Sequence, residues 1–186
     1  MWNGYQDISF TLKNQEYADI YDECLSNRAY NFLLLDGAII QMMYRFNRRG
    51  SLNEHRLAFY PNPNLERYQD SPDDYEDRYY GNKLFTEMYE NVVVAFPVRF
   101  DFNNDPARFV ELDHPQSHMT VGNYQNCRIP VSHPITPYRF MDFILRNFYF
   151  DKFKSDVGEA VFNCSLRPTK TITALESKKI HLGFEF

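Results

Sequence analysis

The sequence predicts an α+β fold: a single domain whose mostly antiparallel sheet, of five to seven strands, is covered by an N-terminal helix and a C-terminal aromatic helix. Three observations carry this. Apolar residues recur at helical spacing near each end of the chain, from Tyr17 and from Phe140. Between them lie short apolar or alternating runs closed by Asp-Gly and other Gly-bearing turns, the pattern of hairpin-linked strands. The length, 186 residues, suits one domain with a proper core and is marginal for two.

Taken in order, residues 1–13 read as polar and partly extended. From Glu16, the residues Tyr17, Ile20, Tyr21, Cys24 and Leu25 fall on one helical face, with Asn14 as N-cap and an end near Ser26-Asn27. A β-meander follows. Tyr30 to Leu35 is an apolar run, Asp36-Gly37 is the favoured type I′ hairpin pair, and Ala38 to Phe46 is the return strand. The Asp-Gly interruption decides against a helix over 30–46, which Leu and Met would otherwise favour. Asn47-Arg48-Arg49-Gly50 closes a second turn, and His55 to Pro61 forms the next strand. Residues 62–82 form an acidic, tyrosine-rich insertion, with a short helix over 83–90. Val92 to Phe102 gives the clearest strand, its even positions all apolar, which places Arg99 and Asp101 together on the face opposite the phenylalanines. Further strands are expected at His118–Gly122 and Tyr124–Val131. Thr136-Pro137 is an N-cap followed by proline at the first helical position, and Phe140, Phe143, Ile144, Asn147 and Phe148 mark a helical face over 137–152. Thr169–Thr173 reads as strand-like, and the alternating Ile180–Phe186 as a final strand.

Composition narrows the function classes. Aromatics reach 17%, from 17 Phe and 14 Tyr with one Trp, so rings supply much of the core. No run approaches the roughly 18 apolar residues of a membrane span, and the first residues carry no basic-then-apolar signal. Three scattered cysteines (Cys24, Cys127, Cys164) without a CxxC read as free thiols in a reducing compartment. Of the net charge of −5, most sits between Glu66 and Arg78, where six acids face two bases. The remainder is near neutral, which is not the footprint of a stand-alone DNA binder but leaves room for a local phosphate site.

The densest chemistry lies between Arg99 and Arg128. Three of the five histidines, His114, His118 and His133, fall within twenty residues of one another. His114 and His118 have the spacing of a helical metal pair, but Pro115 disfavours α geometry at His114, no HExxH is present, and no third ligand stands at a diagnostic spacing. No metal or other cofactor is therefore assigned. A second reading needs no metal: two imidazoles act as general base and general acid, and Arg99, Arg128 or Arg45 neutralises developing phosphate charge. Asp101 would orient a histidine, and Ser117, Thr120 and Tyr124 would orient substrate. A third reading is structural, with Arg99, Asp101 and His118 satisfying one another or the backbone. His133, in a Pro-rich turn, reads as structural; His55 and His181 read as incidental. Cys127 beside Arg128 could have a lowered pKa and act as a nucleophile, but a buried inert thiol is the expectation.

The motifs Arg99-Phe100-Asp101, His114-Pro-x-Ser117-His118-x-Thr-x-Gly122, Cys127-Arg128-Ile-Pro130 and Pro137-x-x-Phe140-x-x-Phe143-Ile-x-x-Asn147-Phe-Tyr149 resemble the domain-of-unknown-function 2290 family, over roughly residues 15–155. Tyr44-Arg-Phe46 and Arg56-Leu-Ala-Phe-Tyr-Pro61 fit the same pattern. The resemblance implies a bacterial cytoplasmic protein and transfers no catalytic residue. A phage-defence or toxin setting is what we expect of small families of this kind.

The expected function is a small metal-independent ribonuclease or phosphoesterase acting on RNA or a nucleotide, with His118, His114 and Asp101 catalytic and Arg99, Arg128 and Thr120 binding phosphate. The alternative is a non-catalytic subunit that docks a larger effector, encoded in the same operon, through the acidic tyrosine-rich loop.

Overall fold

The computed structural model describes residues 16–64, 95–124, 126–150, 153–157 and 167–184. Six strands, β1 (Phe32–Leu33), β2 (Ile39–Phe46), β3 (Leu52–Tyr60), β4 (Val98–Asn103), β5 (Ser117–Val121) and β6 (Ile129–Pro130), form one sheet in chain order. The sheet is antiparallel, and with helices α1 (Tyr17–Ser26) and α2 (Pro137–Phe148) it makes a single α+β domain, as the pattern of elements predicts.

Both expected hairpins are present, the first with a different turn. Leu34 N–H donates to the Ala38 carbonyl (2.8 Å) and Gly37 N–H to that of Leu34 (3.0 Å), so the loop has three residues and ends on Gly37 at φ 83°. The Asp36 carboxylate accepts the Ala38 N–H at 2.9 Å, which fixes the longer loop in place of the two-residue type I′ turn. The β2–β3 loop repeats the design: Gly50 N–H donates to the Asn47 carbonyl, Gly50 has φ 79°, and Asn47 Oδ1 accepts from Arg49 N–H and Ser51 N–H. Glycine meets both left-handed positions without a Cβ penalty.

Contacts group the chain into two compact units: Met1–Gln41, Ala58–Val98 and Val121–Gln125 in one, and Met42–Leu57, Arg99–Thr120 and Asn126–Phe186 in the other. In the first, α1 turns Ile20, Tyr21 and Cys24 onto Ala29, Ile39, Ala58 and Tyr60. The Tyr21 hydroxyl donates to the Gly37 carbonyl at 2.5 Å, and Gln41 donates to the Ala29 carbonyl, so buried polar groups are satisfied. Burial pushes the Cys24 thiol up to about 11, which leaves it an inert core residue. Glu16 takes the N-cap position, without a side-chain cap bond; Asn14 lies outside the described residues.

In the second unit, α2 begins as expected, with the Thr136 hydroxyl accepting the Arg139 N–H at 3.3 Å and Pro137 in the first turn. Phe140 and Ile144 are fully buried. Phe100 meets Phe140 and Phe143 edge-on, at centroid distances of 6.0 and 5.1 Å. Such rings each contribute about 2–3 kcal/mol through burial. The segment before α2 is pinned by two strand side chains: the Tyr44 hydroxyl donates to the Ile135 carbonyl, and Ile135 N–H donates to His55 Nε2, both at 3.0 Å.

Several expected boundaries move. β4 begins at Val98, since Pro97 before it has no N–H to pair. β3 begins at Leu52, which leaves His55 in mid-strand. The expected strand over 124–131 is reduced to β6. Residues 169–173 and 180–184 form no strands, and 185–186 lie outside the described residues: Thr171 N–H and Ser132 N–H bond across to Ser132 and Leu182 carbonyls, and Val131 and Leu182 make one isolated parallel bridge. From position 65, the insertion and the helix expected over 83–90 lie outside the described residues. No helix among the described residues is long and apolar enough to cross a membrane.

Candidate functional site

β4 alternates buried Val98, Phe100 and Phe102 with half-buried Arg99, Asp101 and Asn103, as the period of two requires. In the second unit the phenylalanine face packs on α2. The other face carries charge across three strands. Arg45 on β2 pairs with Glu54 at 3.1 Å, Arg56 lies 3.6 Å from Glu54, and Arg56 Nε lies 3.7 Å from Asp101 Oδ1. The second carboxylate oxygen of Asp101 lies 4.0 Å from His118 Nε2. The Glu54-x-Arg56 spacing on β3 is a signal that could have found this ladder, in which Arg45 is paired with Glu54.

His118 is buried, and its Nδ1 lies 2.9 Å from the Pro115 carbonyl. A carbonyl only accepts, so Nδ1 carries the proton and Nε2 presents its lone pair on the Asp101 side. β5 holds this geometry by pairing His118 with Pro130 and Met119 with Ile129. His114 meets His118 edge-on, with ring centroids 5.2 Å apart. Thus Asp101, His118 and His114 stand in file.

A tight hairpin places His114. Val110 and His114 exchange backbone hydrogen bonds of 3.1 and 2.7 Å, and between them Leu112 adopts φ 70°. A left-handed leucine costs about 1–2 kcal/mol and persists only where its surroundings enforce it. Arg128 Nη1 donates to the Asp113 carbonyl at 3.3 Å, and the carboxylate of Glu176, itself buried, accepts the Leu112 N–H at 3.4 Å. Sequence reasoning missed Glu176, which gains meaning only from a partner 64 positions away.

Burial lowers the pKa of His118, against the pull of Asp101 and the Pro115 carbonyl. Burial also lowers that of His114, helped by His118, Arg128 and Arg108 and opposed by Asp101. Both imidazoles are therefore neutral at pH 7, and Asp101 stands where it would stabilise a proton arriving on His118 Nε2.

The other guanidiniums differ from the ladder. Arg99, Arg108 and Arg128 have no carboxylate partner among the described residues, whereas Arg45, Arg56 and Arg146 do. Arg99 Nε is sealed from solvent without a hydrogen-bond partner among those residues. All three lie close enough to the histidines to disfavour their cations. Thr120 is buried two positions along β5 from His118, and among the described residues no hydrogen bond joins it to either histidine.

His55 is not incidental. It is buried between Tyr44 and Phe102, at centroid distances of 5.6 and 5.7 Å, and burial pushes its pKa down to about 4. Its Nδ1–H has no well-formed partner among the described residues. His133 is structural, its Nδ1 2.8 Å from the Ser132 hydroxyl and its ring on Phe184. Cys24 and Cys127 are free thiols, the second half-buried. No group of three His, Cys, Asp or Glu side chains among the described residues could hold a metal ion.

A family model described as an uncharacterized conserved protein, DUF2290, matches residues 1–184. No curated protein and no solved structure matches the chain.

Proposed function

The chain belongs to the DUF2290 family of uncharacterized conserved proteins, which brings no assigned reaction, and we propose from its site that it is a phosphodiester-cleaving enzyme of ribonuclease type that works without a metal. The observation that carries this reading is the file of Asp101, His118 and His114 beside guanidiniums that have no carboxylate partner among the described residues. In a chain of net charge −5, three such cations around two neutral imidazoles favour an anionic ligand.

His118 Nε2, unprotonated and beside Asp101, is the general base. It takes the proton of a ribose 2′-hydroxyl while the oxygen attacks phosphorus. His114, in its protonated form, gives its proton to the departing 5′-oxygen. The products are a 2′,3′-cyclic phosphate and a free 5′-hydroxyl, and the two imidazoles have exchanged protonation states. Arg99 and Arg128, with Arg108, balance charge on the phosphoryl oxygens. Thr120 is a binding residue of the same strand, and Arg56 steadies Asp101 from its far oxygen. The free thiols Cys24 and Cys127 suit a reducing, cytoplasmic setting.

The test is cleavage of a fluorescent single-stranded RNA by the purified full chain in a chelator, for wild type, His114→Ala and His118→Ala. General acid–base roles predict losses on the order of 100-fold or more for each variant. Absence of wild-type cleavage, or unchanged rates in both folded variants, overturns the proposal.

A further inference from the structure

We propose that Glu176 is a positioning residue for His114, acting through the left-handed turn at Leu112. This rests on His114 being a working group of the site. A closed ring of hydrogen bonds holds the other end of the hairpin. Glu176 is 1% exposed, so its carboxylate must be fully answered within the protein. Each of its oxygens accepts from a backbone N–H: Oε1 from Leu112 (3.4 Å) and Oε2 from Thr173 (2.9 Å). The Thr173 hydroxyl donates to Glu111 Oε1 at 2.6 Å and accepts the Glu176 N–H at 3.1 Å. Glu111 and Leu112 are thus both tied to the segment at 173–176.

These two residues belong to the three-residue turn, 111–113, of the hairpin that ends on His114. Leu112 is one of two non-glycine residues with positive φ among those described. A side chain with a Cβ does not hold that conformation unaided, and strained backbone of this kind recurs beside functional groups. Arg128 donates to the next carbonyl, Asp113. The turn is thus held by two side chains, and the His114 ring lies edge-on to His118. The groups facing His114 are His118, Arg128, Arg108 and Asp101. Its proton affinity therefore reports its position among them.

The substitution Glu176→Gln keeps the shape and removes one acceptor, so an amide N–H₂ meets a backbone N–H. Imidazole resonances of the labelled full chain are followed by NMR through a pH titration. The expected result is a shift of the His114 titration by roughly 0.5 pH unit or more toward the ordinary imidazole value. Adding Leu112→Gly should restore it, because glycine takes positive φ without the carboxylate's help. An unmoved His114 in folded Glu176→Gln protein overturns the proposal, and failure of Leu112→Gly to restore it overturns the route through the turn. Should Glu176→Gln not fold, Thr173→Val, which removes the hydroxyl's bonds to Glu111 and to the Glu176 N–H, must move His114 the same way or the proposal falls. RNA cleavage is a separate reading: its absence in wild type sinks the proposed reaction and leaves the titration result standing.

Discussion

Acid should release the anchor of α2 through a single group, His55. Its Nε2 accepts the Ile135 N–H one residue before the helix cap. Protonation would turn that acceptor into a donor facing a donor, at a site sealed from solvent. Burial therefore holds the folded-state pKa at about 4, against an ordinary value of 6.5. Between these limits the unfolded chain binds the proton and the folded chain does not. The His55 contribution is thus complete above pH 6.5, drains away as pH falls, and is gone near pH 4. A gap of about 2.5 units corresponds to about 3 kcal/mol. This is a large share of the roughly 5–15 kcal/mol that holds a domain folded. The assay is urea unfolding followed by circular dichroism at pH 7, 5.5 and 4.5, comparing wild type with His55→Gln. Glutamine can still accept from Ile135 and cannot titrate; its lost contacts with Tyr44 and Phe102 give a constant offset. The lowered pKa values of His114, His118 and His133 act in both proteins and cancel. The stability gap between the two proteins should narrow or reverse by roughly 2–3 kcal/mol across this range. Parallel curves would refute the reasoning.

Two further outcomes follow from the site and the cap. The proposed acid–base pair has both imidazoles lowered, so the protonated acid becomes populated only below their usual range. The kcat/KM profile for RNA should be bell-shaped with its maximum on the acid side of 6.5; a maximum above 7 would contradict the pairing. Thr136→Ala removes the acceptor of the Arg139 N–H, and urea titration at pH 7 should record a loss of about 1 kcal/mol; no change would show that the cap is idle.

What the sequence discloses depends on how local the cause is. The alternation of Phe100, Phe102 and Asp101 and the Thr136-Pro137 start are written in adjacent residues, so β4 and α2 were readable. His114 and His118 were identified together, and they do touch. The errors arise where partners are remote. Ile180–Phe186 alternates like a strand, yet the described part of the C-terminal segment pairs only through Leu182, because Ser132 and Pro130 meet it at one point. His55 looked unremarkable because Ile135 lies 80 residues on. Arg56 joins Asp101 only after β3 and β4 lie side by side. Asp36-Gly37 signalled a hairpin correctly, but the Asp36 side chain claimed the Ala38 N–H and lengthened the loop.

β6 ends the sheet on a proline set opposite His118. An imino acid offers no hydrogen to an incoming chain, and the Pro130 oxygen is already occupied by Leu182. A foreign segment seeking to lengthen the sheet at this border finds neither donor nor free acceptor at that residue. The border next to the paired imidazoles is therefore poorly suited to self-association, and a crowded cell would find it hard to template fibrils from that flank.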